Sequence, residues 1–299
     1  MLRKIKASAV MALCCTVAGV GLAGCKVDAN AVSNPFTGTH GRKAEKDLFS
    51  GTKKIDVGGK SVNVSCSGGP VKHRPVIVLL PGLGDGLDKM AALQKTLSKN
   101  DRVCAYDRLG EGASDQPDGP QSFADTGRIL TAVLDRVAGD GPVVLAGHSL
   151  GGMIAARYAP GHHQVKGLVL MDATSPTSVA DITQTIPASA TGPAAELRAQ
   201  TLAVDRGESP EKLVITDEKV RSAGNIPVQV IKHGKPYLAA FPQYGPALER
   251  AWTAGEHKWL AVSRRSRLSI AANSEHYIYL DRPDVAVQAI QRVTAQATR

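Results

Sequence analysis

Aromatic residues are scarce in this chain, 4 % of 299 residues, and they are nowhere interleaved with basic side chains, so the usual sequence sign of a nucleic-acid-binding surface is missing. Charge is not extreme either. Lys and Arg number 36, Asp and Glu 27, and charged residues make up 21 % beside 43 % hydrophobic. That balance excludes a wholly disordered, collagen-like or polytopic membrane chain and leaves material for a substantial core. No internal repeat is apparent.

Cysteines number only five, and three of them fall in the first 25 residues. Arg3, Lys4 and Lys6 precede an apolar stretch from Ala7 to about Leu22, followed by small residues and Cys25, which is the layout of a secretory signal peptide over residues 1–24. Leu22, Ala23, Gly24 and Cys25 resemble the lipobox of bacterial lipoproteins. That resemblance implies a Cys25 lipidated on sulfur and an exported chain held on the outer face of a bacterial membrane. The alternatives are an ordinary secreted protein cut nearby or an uncleaved anchor. Removing Arg3, Lys4 and Lys6 takes the formal charge from +9 to +6. Residues 25–50 are rich in Ala, Asn, Ser, Thr, Gly and Lys without apolar periodicity and read as a flexible tether.

From about residue 53 short apolar runs alternate with helical stretches. The runs are 55–57, 61–66, 75–80, 102–106, 142–146, 167–171, 227–231 and 267–271; the helix candidates are 89–98, 123–137, 151–158 and 284–294. Several runs are continuously aliphatic, as expected of parallel strands covered on both faces, so the pattern predicts an α/β fold with helices on both sides. Ligands of such sheets sit at the carboxyl ends of the strands. The span 174–226 breaks the alternation, with a helix-compatible stretch at 194–205, and reads as a lid inserted over that edge.

The sharpest local signal is Gly147, His148, Ser149, Leu150, Gly151 and Gly152, directly after one strand and directly before a helix. A serine at so tight a turn needs glycine two positions before and after it. The turn would raise the Ser149 hydroxyl above the sheet edge, and the helix N-terminus would offer backbone N–H groups to a developing oxyanion.

With these residues in place the chain resembles the α/β-hydrolase superfamily from about residue 53 onward. Leu79, Leu80, Pro81, Gly82, Leu83, Gly84 and Asp85 resemble its oxyanion-loop segment, with Pro81 where a histidine is usual. The resemblance implies an oxyanion hole made by the Leu83 and Leu150 amides. Residues 106–115 resemble the D-R-x-G-x-G-x-S loop after the fourth strand, and 273–283 the segment carrying the catalytic histidine, His276. An eight-stranded, mostly parallel sheet with a helical lid is expected.

A serine hydroxyl needs a neutral imidazole within reach as base and later as acid, which is the role implied for His276. His148, His162 and His163 read as solvent or packing histidines, and the last two have no acidic or cysteine companions at metal-ligand spacing. The acid is less legible. After the seventh strand come Lys232, His233, Gly234, Lys235, Pro236 and Tyr237, with no carboxylate until Glu249. Asp172 ends the sixth strand, where some family members place the acid; Asp172 is therefore expected, with Glu249, or a distorted triad, as the alternative.

The family strand order sets Cys66 beside Cys104, which implies a disulfide over two buried thiols; in an oxidising space that pairing is also chemically reasonable. Arg264, Arg265 and Arg267 form the densest basic patch, either a solvated face or a weak attraction for anionic polymers. The expected activity is hydrolysis of small carboxylic esters through an acyl-enzyme on Ser149, His276 and Asp172, with no metal or organic cofactor and no nucleic-acid partner. A cofactor-free haloperoxidase or perhydrolase, an amidase, and a non-catalytic surface binding lipoprotein are the competing readings.

Overall fold

The computed structural model describes residues 49–298, so the predicted signal peptide, the Cys25 lipidation site and nearly all of the tether lie outside the described residues. Eight strands form one sheet: β1 (Gly51–Val57), β2 (Lys60–Ser67), β3 (Val76–Leu80), β4 (Val103–Tyr106), β5 (Val143–His148), β6 (Val165–Met171), β7 (Pro227–His233) and β8 (Arg265–Ala271). Their spatial order is β1-β2-β4-β3-β5-β6-β7-β8. β2 runs antiparallel to β1 and β4, and the remaining neighbours are parallel.

Strand β3 shows why these segments are strands. All five residues, Val-Ile-Val-Leu-Leu, are buried. Val76, Val78 and Leu80 enter one core and Ile77 and Leu79 the other, as the two-residue period of a strand requires. The first core is closed by α2 (Phe123–Val137) and α3 (Leu150–Tyr158), through Leu130, Leu134, Met153 and Ile154 among others. The second is closed by α1 (Ala91–Leu97) and, from the C-terminal part of the chain, α7 (Ile278–Asp281) and α8 (Pro283–Ala297), through Leu93, Leu97, Ile290 and Val293. Each such side chain contributes roughly 1.5 to 3 kcal/mol on burial. Helix α2 starts at a capping box in which Ser122 and Asp125 exchange hydrogen bonds with each other's backbone.

The insertion after β6 contains α4 (Ser178–Thr185) and α5 (Gly192–Asp205), folds on itself at the bridge Arg206↔Val214 and returns to the body through the bridge Gln121↔Leu213. It has company that the sequence did not announce. Between β7 and β8 the chain makes a second excursion with α6 (Gly245–Lys258), and Leu248 of α6 joins Ile182, Ile186 and Ala194 in a third apolar cluster separate from the sheet cores. The helical layer is thus built from two excursions.

Cys66 and Cys104 are direct register partners on β2 and β4, both fully buried, and are joined by a disulfide. Arg264, Arg265 and Arg267 are exposed on and beside the edge strand β8, a solvated face. Among the described residues no helix is long and apolar enough to cross a membrane.

Candidate active site

Ser149 sits between the end of β5 and the first residue of α3, with φ 50° and ψ −121°. A positive φ is strained for any residue with a Cβ, and it persists because the neighbours leave no alternative. A Cβ on Gly147 would lie 2.4 Å from the Gly151 carbonyl oxygen, and one on Gly151 would lie 2.3 Å from that of Leu80. Both positions therefore demand glycine, as the sequence pattern implied. Leu150 opens α3, so its N–H belongs to the group without an intrahelical acceptor. The Ser149 hydroxyl is paired with Thr174 Oγ1 at 3.4 Å. That is long for a hydroxyl pair and weakly held.

Asp172, directly after β6, has another strained conformation, φ 46°, and its side chain is fully buried. His276, from the segment after β8, donates from Nδ1 to Asp172 Oδ2 at 2.8 Å. Three further donors converge on Oδ1 of the same carboxylate: the His233 backbone N–H at 3.0 Å, His233 Nδ1 at 2.7 Å and Trp252 Nε1 at 3.1 Å. Burial alone would raise the Asp172 carboxyl, but the hydrogen bonds and charge of His233 and His276 hold it well below the usual carboxylate range. Glu249 takes a different place: its Oε1 lies 2.6 Å from His233 Nε2, on the far side of His233 from Asp172.

The His276 ring is packed in an aromatic setting, edge-on to Trp252 with centroids 5.4 Å apart and against His148 at 4.5 Å. Because His148 immediately precedes Ser149, this contact brings His276 to the serine turn. His148 is buried, donates from Nε2 to the His276 carbonyl at 3.1 Å, and is kept neutral by burial and by the nearby His276. It is a packing histidine, as its position next to the serine suggested. His162 and His163 are exposed and away from this cluster.

The loop carrying Leu83 is clamped from below. Arg108 donates to the Pro81 carbonyl at 2.6 Å and to the Gly82 carbonyl at 2.8 Å, and Glu211 from the insertion holds the same guanidinium through both carboxylate oxygens at 2.5 and 2.7 Å. Glu111 accepts from the Gly84 N–H at 2.9 Å. Burial and the adjacent Glu211 push the Glu111 carboxyl up to about 8. Glu256, fully buried on the same face of α6 as Glu249 and Trp252, is held well above the usual range by burial and by Asp172, and so stays neutral.

Sequence reasoning had no place for His233, Trp252, Thr174 or Glu256. The signal that could have found the two on α6, Trp252 and Glu256, is their spacing from Glu249, which puts all three on one helix face. Among the described residues no group of three or more His, Cys, Asp or Glu side chains is arranged to hold a metal ion.

Comparison with known proteins agrees with this architecture. The family model of the alpha/beta hydrolase fold matches residues 75–214. An uncharacterised protein of Schizosaccharomyces pombe is 38 % identical over 86 residues, covering 28 % of this chain and 16 % of that protein, so the match spans a small part of this relative's length. Among solved structures, a hydrolase from Pseudomonas aeruginosa superposes with a TM-score of 0.58 at 20 % identity, covering 81 % of this chain and 97 % of the other. The enol-lactonase of Burkholderia xenovorans gives 0.56 at 18 % identity, covering 81 % and 100 %. The chain has the α/β-hydrolase fold.

Proposed function

We propose that this protein is a serine hydrolase of carboxylic esters. Ser149 is the nucleophile, His276 the base and acid, Asp172 the carboxylate that orients His276, and the Leu83 and Leu150 amides the oxyanion donors. The observation that carries the reading is the bond from His276 Nδ1 to the buried, ionised Asp172, made beside a strained serine turn. In that tautomer Nε2 carries the lone pair a base requires. The Ser149 hydroxyl leaves Thr174 and gives its proton to His276 as its oxygen attacks the acyl carbon; His276 then protonates the departing alcohol. Water activated by the same histidine releases the acid and restores Ser149.

The two helical excursions act as a cap whose α6 sets Trp252 against His276, so acyl or alcohol groups would be selected between cap and sheet edge. A neighbour in fold described as an enol-lactonase is consistent with ester chemistry on this scaffold. The sequence from Leu22 to Cys25 supports export and a lipid anchor at Cys25, with the domain on a tether outside the membrane. Turnover of p-nitrophenyl acetate by the folded protein, lost in Ser149→Ala, tests the assignment; equal turnover by the variant would refute it.

A further inference from the structure

Asp172 is shared between two histidines. Opposite His276 lies His233, the last residue of β7, with its side chain fully buried. Its Nδ1 is 2.7 Å from Asp172 Oδ1 and 2.9 Å from Oδ2, and its Nε2 is 2.6 Å from Glu249 Oε1. A neutral imidazole has one N–H and one lone pair, whereas ionised carboxylates only accept. Two carboxylates on one ring therefore call for two N–H donors. Lys232 Nζ lies 3.4 Å from the same Glu249 Oε1 and offers it a second donor. Burial would lower the His233 pKa, but the hydrogen bonds and charges of Asp172 and Glu249 outweigh it and raise it above the ordinary histidine value.

The Lys232 ammonium, which also donates to the His233 carbonyl at 3.2 Å, is paired with Glu249. Tyr237 stands edge-on to His233 with centroids 4.8 Å apart, and burial holds its hydroxyl protonated. From α6, besides Glu249, come Trp252 and the neutral Glu256. On β8 the register partner of His233 is Ala271, and β6 contributes Asp172. The line Asp172, His233, Glu249, Lys232 alternates in sign and sums to zero, with His276 attached at its first member.

We propose that His233 is a positioning residue that remains an imidazolium during turnover and, by sharing Asp172, sets the pH at which His276 takes up its proton. A cation on one side of a carboxylate weakens what that carboxylate offers a second cation on the other. The role rests on the ester-hydrolase reading only for its consequence in catalysis; the charge on His233 does not.

Ring-nitrogen NMR of the histidine-labelled full chain reads that charge without any turnover. Both His233 nitrogens should carry protons at about pH 7, where an unperturbed imidazole is mostly neutral. A neutral ring overturns the proposal. In His233→Gln, which keeps a donor but removes the charge, the His276 ring should take up its proton at a pH higher by on the order of one unit. The acidic limb of kcat/KM for p-nitrophenyl acetate should move with it, whereas loss of a merely structural side chain would lower kcat and leave the limb in place. An unmoved limb and ring overturn the proposal. Should that variant not fold, Glu249→Gln must bring the His233 ring titration down, and an unchanged titration counts equally against it. Absent turnover by the wild type together with a doubly protonated His233 and a shifted His276 would refute the ester-hydrolase reading alone.

Discussion

Asp172 and His276, 104 residues apart in the chain, meet in a 2.8 Å bond, while Glu249 bonds His233 and Lys232 instead. The two carboxylates therefore predict different losses. Asp172→Asn should lower kcat/KM by on the order of 10⁴-fold, because His276 loses the partner that fixes its tautomer. Glu249→Gln should cost about tenfold or less at the pH optimum, near 1.4 kcal/mol. Steady-state kinetics with circular dichroism as a folding control decide it, and equal losses would contradict the assignment.

Glu211 and Arg108 are both buried, with side-chain exposures of 2 % and 3 %. Glu211→Gln leaves the guanidinium without its counter-charge, and breaking such a pair by one partner costs roughly 3 to 5 kcal/mol. Urea unfolding should show that loss. Turnover should fall as well, since Arg108 holds the Pro81 and Gly82 carbonyls of the loop proposed to supply the Leu83 amide. A change in stability below about 0.5 kcal/mol, ordinary for a surface site, would show that the clamp is idle.

Much of this architecture is legible in the sequence because it follows hydrophobic period. The aliphatic runs of β3 through β7 and the Gly147 to Gly151 turn are local patterns, and each falls where it was expected. Strand β1 begins at Gly51, earlier than its apolar stretch from Ile55, because Thr52, Lys53 and Lys54 pair with β2 while facing solvent. Helix α6 escaped for the opposite reason. Its inward face carries the half-buried Glu249 and Trp252, bonded to His233 and Asp172, and the buried Glu256, rather than an aliphatic stripe. The seventh strand read as lacking its acid. What stands there is His233, and its meaning depends on two carboxylates from β6 and α6 that no local window contains.

Glu111 makes stability depend on pH. Its carboxyl ordinarily titrates near 4.5 and is pushed up to about 8 in the folded protein, first by burial and then by Glu211. The native state thus holds a proton that the unfolded chain has released. This contribution is complete below about pH 4.5 and is lost as pH rises through about 8. Asp205, pushed up to about 7 by burial, acts in the same direction. Urea midpoints at pH 5.5 and 8 should fall less for Glu111→Gln than for the wild type; parallel declines would contradict the account.

The Cys66–Cys104 disulfide closes a loop with a sequence separation of 38 residues. In the chain-entropy model such a closure stabilises by roughly 3 to 4 kcal/mol. The Cys66→Ala/Cys104→Ala protein should therefore melt about 10 °C lower by calorimetry. The proposed turnover of p-nitrophenyl acetate at 25 °C should persist in it, because the bridge joins β2 to β4 away from Ser149. A melting point within a degree of the wild type would show that the bridge adds little.

The central claim is that Ser149 is an activated nucleophile, and a fluorophosphonate probe followed by peptide mass spectrometry tests it most directly. One adduct per chain on the peptide containing Ser149, absent from Ser149→Ala, is the predicted result. A folded wild-type protein that takes up no label, or that is labelled at another residue, would contradict it.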